Sequence, residues 1–326
     1  MKAAEITKAL HSRGTLAATI LIMIAAACYA LFSSLGEMIP GNKGTAFPSP
    51  GLWIDNPVLS LWVNIAVIGS IAGFMIYINK VYNIPRTITL IYASFFFVLE
   101  TATPDLTSHL CSATVLAFVI IVSMTLMFST YSEPAALRRV FLVFFMLSCA
   151  LTVQYAFAIY LPVFVVACFQ MKIFTFRTIL AALLGIITPW WILFGFGIVG
   201  IGDLHMPVII SLFDTADLLD TLLAAITAGL TVTLAITSYV LSLLKLMTYN
   251  ARLRACNGLL TLLTFVTVFA MAVDFTNFTC YLTLLNCCTA FFLGHLFVIR
   301  NSPKAWIVIC SITAIYYAIY LWIIIA

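Results

Sequence analysis

Charge is what this sequence lacks most. Asp, Glu, Lys and Arg make up only 8% of its 326 residues, against about a quarter in a soluble domain. So low a share excludes a water-soluble enzyme, a disordered tail and a nucleic-acid reader, whose affinity rests on clustered basic side chains. Motifs are missing too: no P-loop, no GxSxG elbow, no HExxH, no paired haem histidines and no arginine-rich sensor helix occur, which removes ATPases, serine hydrolases, zinc proteases and voltage sensors. The nine cysteines include no CxxC pair and no Cys/His cluster at zinc spacing, so they read as small apolar packing residues, eight within spans and Cys256 in a loop. No internal repeat is visible, which weakens an inverted-repeat transporter.

Hydrophobic sequence fills the space. The hydrophobic set reaches 64% and mean hydropathy is +1.18, the composition of a polytopic membrane protein. A crossing helix needs about 20 mostly apolar residues, and such runs lie at 15–36, 58–79, 87–104, 109–130, 178–198, 219–245, 257–273, 279–299 and 306–325. Residues 140–171 carry no charge over 32 positions, about 48 Å as one helix, which is too long for one crossing. Gln154 and Tyr155 interrupt it, so the region 139–171 is expected to form a hairpin of two short spans. The expected fold is an all-α transmembrane bundle of about eleven spans, with residues 1–326 one integral membrane domain and the first span a retained anchor.

Basic residues test that count, because cytoplasmic loops retain them. With the N-terminus inside, 14 of the 15 basic residues share the inner side and only Lys43 lies outside. A single crossing at 140–171 would put Arg138 and Arg139 opposite Lys172 and Arg177. The acids sort outward: Glu37, Asp55, Glu100, Asp105, Asp203, Asp214, Asp217, Asp220 and Asp274. This predicts a bacterial inner-membrane protein with a cytoplasmic N-terminus, surrounded by lipid and not bound to nucleic acid.

Loops are short, the longest being 37–57, so function is expected within the bundle or at its rim. Glu100 lies about 20 Å up its span, where an ionisable group is a functional candidate. With Glu37, Asp55, Asp105, His109, Asp203, His205 and Asp274 it is expected to form an acidic outer vestibule. Carboxylates there suit a divalent cation on a lipid diphosphate, or a general base toward an acceptor hydroxyl. Asp214, Asp217 and Asp220 read as a solvated helix face. Gly69 and Gly73 form a GxxxG read as packing within the chain. Pro162 and Pro189 are expected to break or kink adjacent spans; the indoles Trp190 and Trp191, with Gln154, are candidates for shaping a lipid slot.

The stretch 156–193 resembles the signature region of a family of uncharacterised bacterial polytopic inner-membrane proteins, through Tyr160, Pro162, Arg177, Gly185, Pro189, Trp190 and Trp191. That layout is in turn similar to the membrane half of GT-C class glycosyltransferases. The resemblance implies polyprenyl-phosphate sugars as substrates and places catalytic or metal-binding acids at Glu37 or Asp55 and at Glu100 or Asp105. The second outer loop lacks Asp-x-Asp and the first lacks Asp-Glu. Three readings therefore stand: transfer from an isoprenoid-linked or other lipid-linked substrate at the outer face, a non-catalytic subunit or scaffold binding other membrane proteins, and a small-solute transporter.

Overall fold

A computed structural model describes residues 12–33, 44–82, 90–133, 136–200, 202, 204–205, 222–246, 249–299 and 305–325. Among them are twelve α-helices and no strand: α1 (Arg13–Phe32), α2 (Pro57–Tyr82), α3 (Ile91–Thr101), α4 (Pro104–Ser108), α5 (Ser112–Phe128), α6 (Leu137–Val153), α7 (Tyr160–Gln170), α8 (Phe176–Gly195), α9 (Leu222–Leu246), α10 (Ala251–Val273), α11 (Phe278–Ile299) and α12 (Ala305–Ile325). Seven of these, α1, α2 and α8 to α12, are long and apolar enough to cross a membrane. The protein is an all-helical bundle of the membrane type.

Local chemistry sets the breaks. The Asn56 carboxamide accepts from the amides of Val58 and Leu59 (3.0 and 3.2 Å), capping α2. Pro104 cannot continue α3, because it lacks an N–H and forces Thr103 into an extended conformation; it opens α4 instead. Gln154 is likewise extended, and the uncharged stretch 140–171 becomes two helices joined by a 3-10 turn at Tyr155–Ile159. Pro162 sits in the first turn of α7, where its missing N–H costs nothing, so it helps start a helix and breaks none. Pro189 lies inside an uninterrupted α8. Cys256 is also placed differently from expectation: α10 begins at Ala251, early enough to bury that thiol within a helix.

Contacts along the helices fix their relative directions. α1 and α12 run parallel, since Tyr320 donates to the Ala26 carbonyl (2.8 Å) while Thr15 and Thr19 share a cleft with Ile309 and Thr313. α3 and α11 run antiparallel: Glu100 meets Thr283 and Asn286, whereas Tyr92 meets Gly294. α7 and α10 do the same, with Tyr160 bonded to Thr267 (3.1 Å) and Gln170 against Gly258. α6 and α8 are parallel, because the loop before α6 (Ser132 N–H) bonds Met171 just ahead of α8, while the far end of α6 (Val153) and His205 beyond α8 both bond Thr45.

Helix ends therefore form two groups. Arg13, Lys80, Arg138, Arg139, Lys172, Arg177, Arg252 and Arg254 occupy one end of the bundle, with Glu133 paired there to Arg139. Asp55, Asp105 and Asp274 occupy the other, the Gln154 end.

The packing of α8 on α6 rests on Gly185. A Cβ there would stand 2.7 Å from the Phe141 carbonyl oxygen and 3.0 Å from the Phe145 nitrogen, so only glycine permits the approach. Across that seam the Ser148 hydroxyl donates to the Ile186 carbonyl (2.7 Å). The GxxxG of α2 behaves oppositely, correcting its reading as an internal packing face: no heavy atom comes within 4 Å of a Cβ built on Gly69 or Gly73. Partners inside the bundle come from the other face of α2, through Ile68, Ile71, Ala72 and Met75. The central element is α11, 94% buried over its apolar stretch, against 22–50% for the other six long helices.

Candidate functional site

At the Gln154 end, backbone bonds gather three segments distant in sequence. The amides of Thr45, Ala46 and Phe47 donate to the last carbonyls of α6 (Val153 and Thr152), satisfying helix-end acceptors. The His205 amide donates to the Thr45 carbonyl (3.0 Å). The 3-10 turn Pro50–Leu52 follows, and the Trp53 indole donates back to the Pro48 carbonyl (2.9 Å), fixing that ring over the rim.

Beneath this rim, between α5 and α6, opens a cleft of about 300 Å³. Its walls are mainly apolar, with Val115 and Val119 on one side and Phe145 and Met146 on the other, and Trp53 and Gln154 at its mouth. Gln154 is buried, yet its side-chain oxygen has no hydrogen-bond partner. A buried acceptor left open costs free energy, and this one borders a cavity. Such a slot offers an apolar wall for a chain and one oriented amide for a donor on its head.

Glu100 lies elsewhere, on α3, fully buried among helices. Its Oε1 accepts from the Thr283 hydroxyl (2.7 Å) and its Oε2 from the Asn286 amide (2.8 Å), both on α11. Asp105 is half-buried on α4, and burial alone pushes its carboxyl up to about 6. Asn64 of α2 holds that short helix by donating to the Leu106 and Thr107 carbonyls (2.8 and 3.2 Å). His109, buried just after α4, contacts the Ser108 hydroxyl through Nδ1 (3.0 Å).

The remaining sequence candidates disperse. Asp55 is exposed, two residues beyond Trp53. Trp190 stacks on Phe194 at 5.9 Å, while Trp191 is 70% exposed on the outside of the bundle. Glu37, Asp203 and the aspartates at 214, 217 and 220 lie outside the described residues. Asp274 is buried as a staple: the hydroxyls of Tyr155 and Tyr281 and the amide of Asn277 all donate to it, tying the hairpin turn to the α10–α11 corner. Among the described residues no three His, Cys, Asp or Glu side chains group closely enough to hold a metal ion. Thr283 and Trp53 were not singled out from sequence as site residues; Thr283 is a threonine inside an apolar run, visible only once α3 and α11 are paired. No family model, curated protein or solved structure matches this chain.

Proposed function

We propose that this chain is an eleven-span protein of a bacterial inner membrane, N-terminus cytoplasmic, that binds a lipid-linked substrate at its outer face. Four helices shorter than the seven long ones, α3, α5, α6 and α7, complete the count. The parallel run of α1 with α12 supports it, because first and last crossings share a direction only when the number is odd. Gathering of the described basic residues at one end supports the orientation.

The observation that carries the functional reading is the unpartnered Gln154 oxygen at the head of the α5–α6 cleft. An acyl or isoprenoid chain fits between Val115, Val119, Phe145 and Met146, with its polar head beneath Trp53. Asp55 is the described acid beside that rim and is the candidate general base; Glu37 belongs to the same loop. This agrees with the GT-C-like reading of 156–193, in which a polyprenyl-linked sugar is the donor and a divalent cation accompanies its phosphate.

Native mass spectrometry of protein purified in mild detergent tests it. A bound isoprenoid or other carrier lipid is expected, lost when Met146→Trp fills the cleft and diminished in Gln154→Leu. Identical bulk phospholipid in all three proteins overturns the reading. A scaffold role is the second reading, favoured by the open Gly69/Gly73 face of α2. Under it, Gly69→Leu with Gly73→Leu would abolish co-purification of one defined membrane partner and leave the cleft variants silent.

A further inference from the structure

The pairing of α3 with α11 encloses a polar site separate from the cleft. Glu100 is fully buried, and both carboxyl oxygens are engaged, one by the Thr283 hydroxyl and one by the Asn286 amide. Neither partner is charged. The one ion pair among the described residues joins Arg139 to Glu133 at the opposite end of the bundle.

Among the described residues no basic side chain on the elements packed against α3 pairs with Glu100. Arg13 on α1 and Lys80 on α2 sit at the far end. Asp105 on α4 is acidic, and α12 carries Cys310 and three tyrosines, Tyr316, Tyr317 and Tyr320. On α11, Cys280 and Cys288 accompany Cys287, and His295 lies toward the other end. Among the described residues, the thiols of Cys111 and Cys287 feel the charge of Glu100. A bare carboxylate enclosed in this way has no counter-charge, and such an arrangement is strongly unfavourable.

The hydrogen-bond pattern accommodates a proton. Thr264, Thr267 and Thr289, on α10 and α11, give their hydroxyl hydrogens back to the carbonyl four residues earlier. Thr283 turns instead to Glu100. A hydroxyl accepts as readily as it donates, so the 2.7 Å contact serves equally for a carboxylic acid O–H donating to Thr283 Oγ1. Oε2, as the carbonyl oxygen of that acid, then accepts from Asn286. The Asn286 amide oxygen, also buried, has no partner. As placed, the Asn286 –NH2 faces Glu100; a 180° turn of the side-chain amide would offer its oxygen as an alternative acceptor for a proton carried on Oε2.

We infer that Glu100, Thr283 and Asn286 form a proton-binding site in the α3–α11 interface, with Glu100 resident as a neutral carboxylic acid. Release of the proton leaves an unpaired carboxylate between two packed helices, so deprotonation is linked to separation of α3 from α11. The site stands apart from the lipid reading of the cleft, since none of Glu100, Thr283 and Asn286 lines that cleft.

Infrared spectroscopy of protein labelled with carboxyl-¹³C glutamate, in lipid nanodiscs at neutral pH, tests the assignment. A protonated-acid carbonyl band is expected, shifted by D₂O and absent in Glu100→Gln. If the band is missing in the wild type, or persists in Glu100→Gln while carboxylate intensity falls, the inference is overturned. Thr283→Val keeps the test open should Glu100→Gln fail to fold, since loss of the acceptor hydroxyl must shift the same band; an unmoved band counts against the site. Thermal unfolding with sodium or choline as sole cation gives a second reading. Equal midpoints are expected, and a sodium-dependent rise that Thr283→Val abolishes replaces the proton with an alkali cation and overturns the proposal.

Discussion

Replacing Gly185 by alanine puts a methyl group where the structure has no room. The Cβ would lie 2.7 Å from the Phe141 carbonyl oxygen, 3.0 Å from the Phe145 nitrogen and 3.0 Å from the Phe144 Cβ. Two of these are backbone atoms of α6, so no rotamer change relieves the clash and the helices must part by several tenths of an ångström. Overpacking of this kind costs about 1–3 kcal/mol. Parting also stretches the 2.7 Å bond from Ser148 to the Ile186 carbonyl, worth about 0.6 kcal/mol between membrane helices. Alanine returns about 0.5–1 kcal/mol through its better helix propensity, leaving a net loss between about 0.6 and 3 kcal/mol.

Gly69→Ala is the matched control, because its Cβ meets nothing within 4 Å; it should be neutral or gain up to about 1 kcal/mol. Equilibrium unfolding of the two variants in one mild detergent makes the comparison. Equal stability of Gly185→Ala and Gly69→Ala would falsify the close α6–α8 seam. Because Phe145 and Met146 of α6 also form a cleft wall, Gly185→Ala should weaken lipid retention as well, whereas Gly69→Ala should not.

Asp105, with its carboxyl held near 6 by burial, binds an extra proton in the folded state between pH about 4 and 6. Its contribution is full below pH about 4, declines as pH rises to about 6 and is flat above, amounting to about 3 kcal/mol at most before screening at the helix end. Asp105→Asn should match the wild type near pH 4 and unfold at a higher temperature near pH 8; a variant that tracks the wild type across that range contradicts the assignment. Reporter fusions after Lys43, Lys172 and Ala326 should read outside, inside and outside, and an inside signal at Ala326 refutes the odd count. Tyr160→Phe and Thr267→Val, each removing one of two hydroxyls 3.1 Å apart, should show a coupling of about 0.6 kcal/mol in a double-mutant cycle; strict additivity would contradict that α7–α10 contact.

Helix positions were largely legible because a bilayer admits few solutions. Each apolar run marked in the sequence holds a described helix, including the two halves of 140–171, which Gln154 and Tyr155 interrupt. Faces were harder to read. The GxxxG of α2 looked like packing and is open, while Gly185, four residues after Ala181 in a small-xxx-small pattern that does not stand out in the sequence, makes the close approach of α8 to α6. Spacing tells which residues share a face, and lipid is as apolar as a neighbouring helix, so a hydrophobic pattern does not say which face turns inward. The acids were grouped by the side of the membrane they share. The structure separates them within that side: Asp274 is consumed as a staple, Glu100 is enclosed by α11, and Asp55 stands at the rim.

The position of α11 shows what a sequence reading of a membrane bundle needs. Its apolar stretch has the lowest mean hydropathy of the seven long helices, 1.5, and is also the most buried, the inverse of the rule for soluble proteins. The cause is the solvent: an amide or hydroxyl facing lipid finds no partner, so Thr283, Asn286, Thr289 and His295 drive their helix to the centre. Once α11 is central, the one deep carboxylate of α3 must meet it, and Glu100 does so through Thr283 and Asn286. α3, α5, α9 and α10 surround α11, and α6 and α8 are left to the side of the bundle on which the α5–α6 cleft opens.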